Sequence, residues 1–112
     1  MVPAELAGAE AKGRLYLGDA AGAVRLYDQA LADAGLPRNQ LIYRAQRSAA
    51  IVTTGDVAAA VSEGLAVLPA LGEVASPRTL RELSPVRDAA ARVGEDEFVQ
   101  RYDSVASSPL AA

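Results

Sequence analysis

The sequence predicts an all-α fold of antiparallel helical hairpins laid side by side, and three observations carry that expectation. Gly18, Gly55 and Gly94 recur at spacings of 37 and 39 residues, each followed by an acid (Asp19, Asp56, Glu95) and then by an apolar stripe of helical period. A repeat of that length marks a two-helix unit used several times. The chain is 51% hydrophobic but only 4% aromatic; alanine dominates the apolar set, which favours closely packed helices over a β core. Its 112 residues suffice for one small domain with one core.

Six helical segments follow from period and punctuation. The first covers residues 3–17, opens on Pro3 as a first-turn residue, and carries Ala4, Ala7, Gly8, Ala11 and Leu15 on one face of small residues before ending at Gly18. The second starts with Asp19 as N-cap and runs to Gly35, with Ala20, Ala23, Val24, Tyr27, Ala30, Leu31 and Ala34 on its stripe. The third begins at Pro37, shows Ile42, Ala45, Ala49 and Val52 on one face, and persists to Thr54 before Gly55 stops it.

Asp56 caps the fourth helix, whose stripe of Val57, Ala60, Val61, Gly64, Leu65 and Leu68 repeats the spacing seen after Asp19. Residues 72–77 read as a loop, and Ser76-Pro77 as a cap with a first-turn proline that opens the fifth helix. Ser84-Pro85 repeats that signal, so the fifth helix kinks or breaks near Leu83, with Val86, Ala90 and Val93 beyond. After Gly94 the sixth helix, residues 96–105, turns Phe98, Val99, Tyr102 and Val105 inward. Five residues beyond each glycine stand Ala23, Ala60 and Val99, where small side chains let paired helices approach. The domain spans 1–106, with repeats at about 4–36, 38–73 and 77–105 and a frayed tail over 107–112.

Composition narrows the chemistry. Without cysteine or histidine the chain has no disulfide, no thiolate, no zinc site of the usual kind and no imidazole base. No Gly-x-Ser-x-Gly turn accompanies the serines, and Gly18-x-x-x-Gly22 follows a helix without the lysine of a phosphate loop, so no catalytic residues, metal or cofactor are expected. Net charge is −3 with pI about 4.8, a field that repels phosphate backbones. Thr54-Gly55-Asp56 joins two helices as a DNA-reading turn would, yet no Lys or Arg occurs between Ser48 and Pro77; direct nucleic-acid binding is therefore not expected. Residues 1–9 hold no basic leader region and no apolar run approaches the roughly 20 residues that span a bilayer, which predicts a cytoplasmic protein without membrane contact. Ten arginines against one lysine, with the alanine and glycine load, point to a GC-rich bacterial genome.

The turn Leu17-Gly18-Asp19 followed by Ala23, Tyr27, Ala30 and Pro37 keeps the small-aromatic-small-proline order of the tetratricopeptide repeat, which the chain resembles. The second unit keeps Gly55-Asp56 and Ala60 but has Gly64 where an aromatic usually sits; the third keeps Gly94-Glu95. The resemblance implies a short right-handed array whose first, third and fifth helices line a concave face. A narrower resemblance, over about residues 15–105, joins Gly55-Asp56-Val57, Gly64-Leu65-Ala66-Val67, the run from Ala75-Ser76-Pro77-Arg78 to Leu83, and Phe98-Val99-Gln100-Arg101-Tyr102. These are similar to the C-terminal repeat segment of actinobacterial regulators that carry an N-terminal helix-turn-helix domain. That implies a sensor or dimerisation part of a transcriptional regulator, here without the DNA-reading domain: a fragment or a free-standing relative.

The function expected is thus non-enzymatic: a module that holds a protein or peptide. Two alternatives remain, a structural homo-oligomerisation domain and a helical domain that senses a small molecule. Counted from the turns, the concave face receives Lys12 and Tyr16 from the first helix, Gln46, Ala49 and Thr53 from the third, and Arg81, Asp88 and Arg92 from the fifth. Arginine and tyrosine suit such a surface, combining flat contact area with strong donors, and a peptide with a free carboxylate or acidic side chains fits that chemistry. The acid-free stretch 34–55, with Arg38, Arg44 and Arg47, is either an interaction patch or a solvated face paired with acids of the second or fourth helix, the latter favoured. Tyr16, Tyr27, Tyr43 and Tyr102 are expected mainly as core side chains with tips reaching water, and Glu95, Asp96 and Glu97 as first-turn acids answering the helix dipole.

Overall fold

In the computed structural model, which describes residues 4–33, 37–73 and 77–107, every regular element is a helix: α1 (Ala4–Tyr16), α2 (Ala20–Asp33), α3 (Pro37–Thr53), α4 (Val57–Glu73), α5 (Pro77–Glu82), α6 (Ser84–Val93) and α7 (Asp96–Ala106). Among these residues there is no strand, and no helix is long and apolar enough to cross a membrane. The expected ends of the first two helices at Pro3, Ala34 and Gly35, the Ser76 cap and the tail beyond Ser107 lie outside the described residues.

All three glycine turns are where the repeat placed them. Gly18, Gly55 and Gly94 have φ of +88°, +95° and +80°, a left-handed conformation that glycine adopts without a Cβ penalty and that closes a helix. The Asp19 and Glu95 amides reach back to the Arg14 and Ala90 carbonyls, at 2.8 and 2.9 Å. Asp19 then caps α2 by accepting the Gly22 N–H at 2.9 Å, and Asp56 caps α4 by accepting that of Ala59 at 3.1 Å. Glu95 makes no side-chain cap.

At the fifth helix the expected interruption is present and one reading, the cap, is corrected. Proline cannot donate the bond a continuous helix needs and its ring clashes with the preceding turn; the chain accordingly breaks at Leu83, giving seven helices where six were expected. Ser84 is not the cap: Leu83 holds that place, with Ser84 and Pro85 already inside α6. Pro69, by contrast, sits within an unbroken α4.

The core has two linked parts. Ala11, Ala23, Tyr27 and Ala50 join α1, α2 and α3, while a larger cluster around Leu68, Leu83, Val86 and Phe98 joins α3 to α7, with half-buried Val24 touching both. Ala23 and Ala60 are fully buried, as expected of residues where helices cross. The third unit departs: Val99 is half-buried and Phe98 takes the interior, because Gly64 of α4 leaves room for a ring. A Cβ on Gly64 would stand 2.6 Å from Phe98 Cε2. On α3 the buried face is shifted from the expected stripe: of Ile42, Ala45, Ala49 and Val52, Ala45 is buried and the others half-buried, whereas Gln46, Ser48, Ala50 and Ile51 are buried. Ser48 spends its hydroxyl on the Ala60 carbonyl at 2.7 Å, so its burial carries no unsatisfied donor.

Candidate partner-binding site

Residues at helical spacing on three elements converge between α1 and α3. Lys12, Leu15 and Tyr16 share one side of α1; Ile42, Tyr43, Gln46 and Ala49 share one side of α3; Arg78 and Glu82, four apart, share one side of α5. Between them lie two adjoining hollows of about 380 and 370 Å³, with Lys12 and Gln46 in the walls of both. Gly8 sets the spacing at one end: a Cβ there would stand 2.8 Å from Tyr43 Cε1, so the ring leans directly on the α1 backbone.

Glu82 ties the three helices together. Its Oε1 accepts from Lys12 Nζ at 3.4 Å and from Gln46 Nε2 at 3.3 Å. The remainder of the second hollow is apolar and aromatic, formed by Leu15, Tyr16, Ala49 and, from α2, Tyr27. Tyr27 is 1% exposed. Burial, and then the negative charge of Glu82, push its phenol up to about 12, so it stays a neutral hydrogen-bond donor across the physiological range. Tyr16 is the opposite case at 93% exposed, a correction to the expectation that the tyrosines serve the core. Tyr43 is half-buried, and Tyr102, also half-buried, donates to the Leu80 carbonyl at 3.2 Å.

Of the eight residues expected on the concave face, Lys12, Tyr16, Gln46 and Ala49 line this second hollow. Thr53, Arg81, Asp88 and Arg92 are exposed and line neither hollow. For Arg81, Asp88 and Arg92 the break at Leu83 is the reason: the spacing 81, 88, 92 defines one face only on a continuous helix, and here it spans two; Thr53, the last residue of α3, lies beyond the hollow. Asp88 instead neighbours Arg87 at 3.9 Å, and Arg87 makes paired contacts with Asp103. The sequence reading passed over Arg78 and Glu82, although their i,i+4 spacing just before Pro85 was a usable signal.

The basic stretch resolves into ion pairs. Arg44 meets Glu63 at 3.4 Å, and Arg47 meets Asp28 at 2.6 Å and Glu63 at 3.6 Å; these acids belong to α2 and α4, as the favoured reading held. The Arg38 side chain lies outside the description. Glu95, Asp96 and Glu97 are exposed at the start of α7, where Glu97 pairs with Arg101. Comparison with protein-family models, with curated proteins and with solved structures finds no match.

Proposed function

We propose that this protein is a non-enzymatic binding module whose hairpins stack as a tetratricopeptide-like array and whose α1–α3–α5 side holds a peptide segment of a partner protein. The observation that carries the reading is the pair of adjoining hollows between α1 and α3, walled by tyrosines and bridged by the Lys12–Glu82–Gln46 cluster. A concave, largely apolar site with a few convergent polar groups is the form that ligand recognition takes. Two hollows in line suit an extended chain placing successive side chains. With neither histidine nor cysteine in the chain, the polar groups here serve for holding a ligand rather than for activating a nucleophile. A place as the sensor or dimerisation part of a bacterial transcriptional regulator belongs to the same proposal and rests on the resemblance of about residues 15–105 to such repeat segments; a cytoplasmic setting is proposed with it.

A second reading, self-association, draws on Leu6, Tyr16 and Leu17, large apolar side chains 60%, 93% and 82% exposed on or just beyond α1. Apolar surface on a terminal repeat invites a second copy. Light scattering after size exclusion, paired with selection from a displayed random-peptide library, separates the two. A monomer whose selected peptides are lost on Ala49→Trp, which fills the hollow, and kept on Arg92→Ala supports the module; a concentration-independent dimer that selects no peptide supports assembly.

A further inference from the structure

Resting on the reading that the hollow holds a partner's peptide, we propose that the cavity walled by Leu15, Tyr16, Tyr27 and Ala49 takes an arginine side chain, its guanidinium on Glu82 and its aliphatic stem along Leu15 and Ala49. Both bonds that Glu82 accepts fall on Oε1; among the described residues Oε2 receives none. Half of a carboxylate suited to bidentate recognition is therefore open at the wall of an apolar hollow. Tyr27 supplies the second, independent observation. It is 1% exposed and lines the cavity, so its ring forms part of the wall along which a guanidinium and its stem would lie.

Charge decides between a basic and an acidic occupant. Lys12 already sits on Glu82 at 3.4 Å, with half its side chain in solvent, and so loosely occupies the place of a ligand's cation. An incoming carboxylate would face Glu82 with Lys12 already engaged, whereas an incoming guanidinium needs only to displace one half-solvated amine. Arg78 faces the neighbouring hollow instead. The Tyr16 and Tyr27 rings add faces on which a cation is attracted, and the net charge of −3 draws cationic segments toward the molecule. The acidic peptide that suited the sequence alone is thereby replaced by a basic one.

The test is a calorimetric titration of the full chain with an acetylated five-residue peptide carrying one central arginine, against the same peptide with citrulline or glutamate there, and against N-acetylargininamide. The arginine peptide should bind more tightly than the citrulline peptide by roughly tenfold or more, the usual scale for a charge-assisted bond. Glu82→Gln should abolish that preference, and Lys12→Met should strengthen arginine binding by removing the internal competitor, with circular dichroism showing each variant folded. Should Glu82→Gln unfold, the Lys12→Met result alone decides. Weaker arginine binding in Lys12→Met, or preference for the glutamate peptide, overturns the inference while leaving the peptide-module reading intact. Equal affinity for N-acetylargininamide and the arginine peptide overturns the peptide as the source of the cation. No binding of any of these peptides, with library selection also empty, overturns both.

Discussion

Gly64→Ala and Gly13→Ala are chemically identical substitutions for which the fold demands opposite signs. Both glycines lie inside helices, α4 and α1, where alanine is favoured by about 1 kcal/mol. A methyl at Gly13 meets nothing within 4 Å and should express that preference, stabilising the protein by about 0.5–1 kcal/mol. At Gly64 the added Cβ would lie 2.6 Å from Phe98 Cε2 and 3.0 Å from Cζ. Carbon atoms settle at about 3.5–4 Å, so the ring must retreat by about 1 Å. Phe98 is fully buried within the cluster of Leu68, Leu83 and Val86, so any retreat of its ring displaces core neighbours. Overpacking of this kind costs about 1–3 kcal/mol; against the propensity gain of about 1 kcal/mol, the net loss should reach up to about 2 kcal/mol. For a domain of this size that lowers the thermal midpoint by up to roughly 10 °C. Urea unfolding followed by circular dichroism should show the midpoint falling for Gly64→Ala and rising for Gly13→Ala at an unchanged slope. Equal stabilisation by both would refute the packing of α7 on α4 through this glycine.

The same physics extends to other positions. Ala60→Leu places extra carbons where α3 and α4 meet at a fully buried site and should cost about 1–3 kcal/mol by the same unfolding measurement. In ultraviolet titration the Tyr27 phenol, raised to about 12, should ionise last, and Tyr27→Phe should remove that final step. Because its folded value lies above the usual 10, stability present below pH 10 should decline as pH rises toward 12. Asp19 runs the other way: its Gly22 amide bond, aided by Arg14, holds the carboxyl below 3.8. Its contribution is present above that value and lost as pH falls through the lower folded one, a dependence Asp19→Asn should erase from acid-unfolding curves.

What was legible in the sequence was local. A left-handed glycine, an aspartate cap and a stripe of alanines each act within one or two turns, and Gly18-Asp19 and Gly55-Asp56 specify their corners without reference to the rest of the chain. The proline signal near Leu83 was equally readable, but its consequence was not. Which face of a six-residue α5 meets α1 and α3 depends on how the chain turns after the break, and that turn put Glu82 at the hollow while leaving Arg81, Asp88 and Arg92 on the surface. Both Phe98 and Val99 were expected inward; that Phe98 lies deepest, rather than the residue at the crossing position, has a similar origin, since it depends on Gly64 in another helix. Lys12, Tyr16, Gln46 and Ala49 line the hollow as counting from the turns placed them, because α1 and α3 are unbroken, whereas Thr53 at the end of α3 does not.

The claim on which the functional account stands is that the space between α1 and α3 is where this protein meets its partner. Nuclear magnetic resonance mapping of backbone amides during titration with a library-selected peptide tests it most directly. The account predicts the largest shift changes at Lys12, Leu15, Tyr16, Tyr27, Gln46, Ala49 and Glu82, with α4 and α7 little affected. Changes centred on α6 and α7, or on the exposed face of α1 at Leu6 as protein concentration rises, would contradict it.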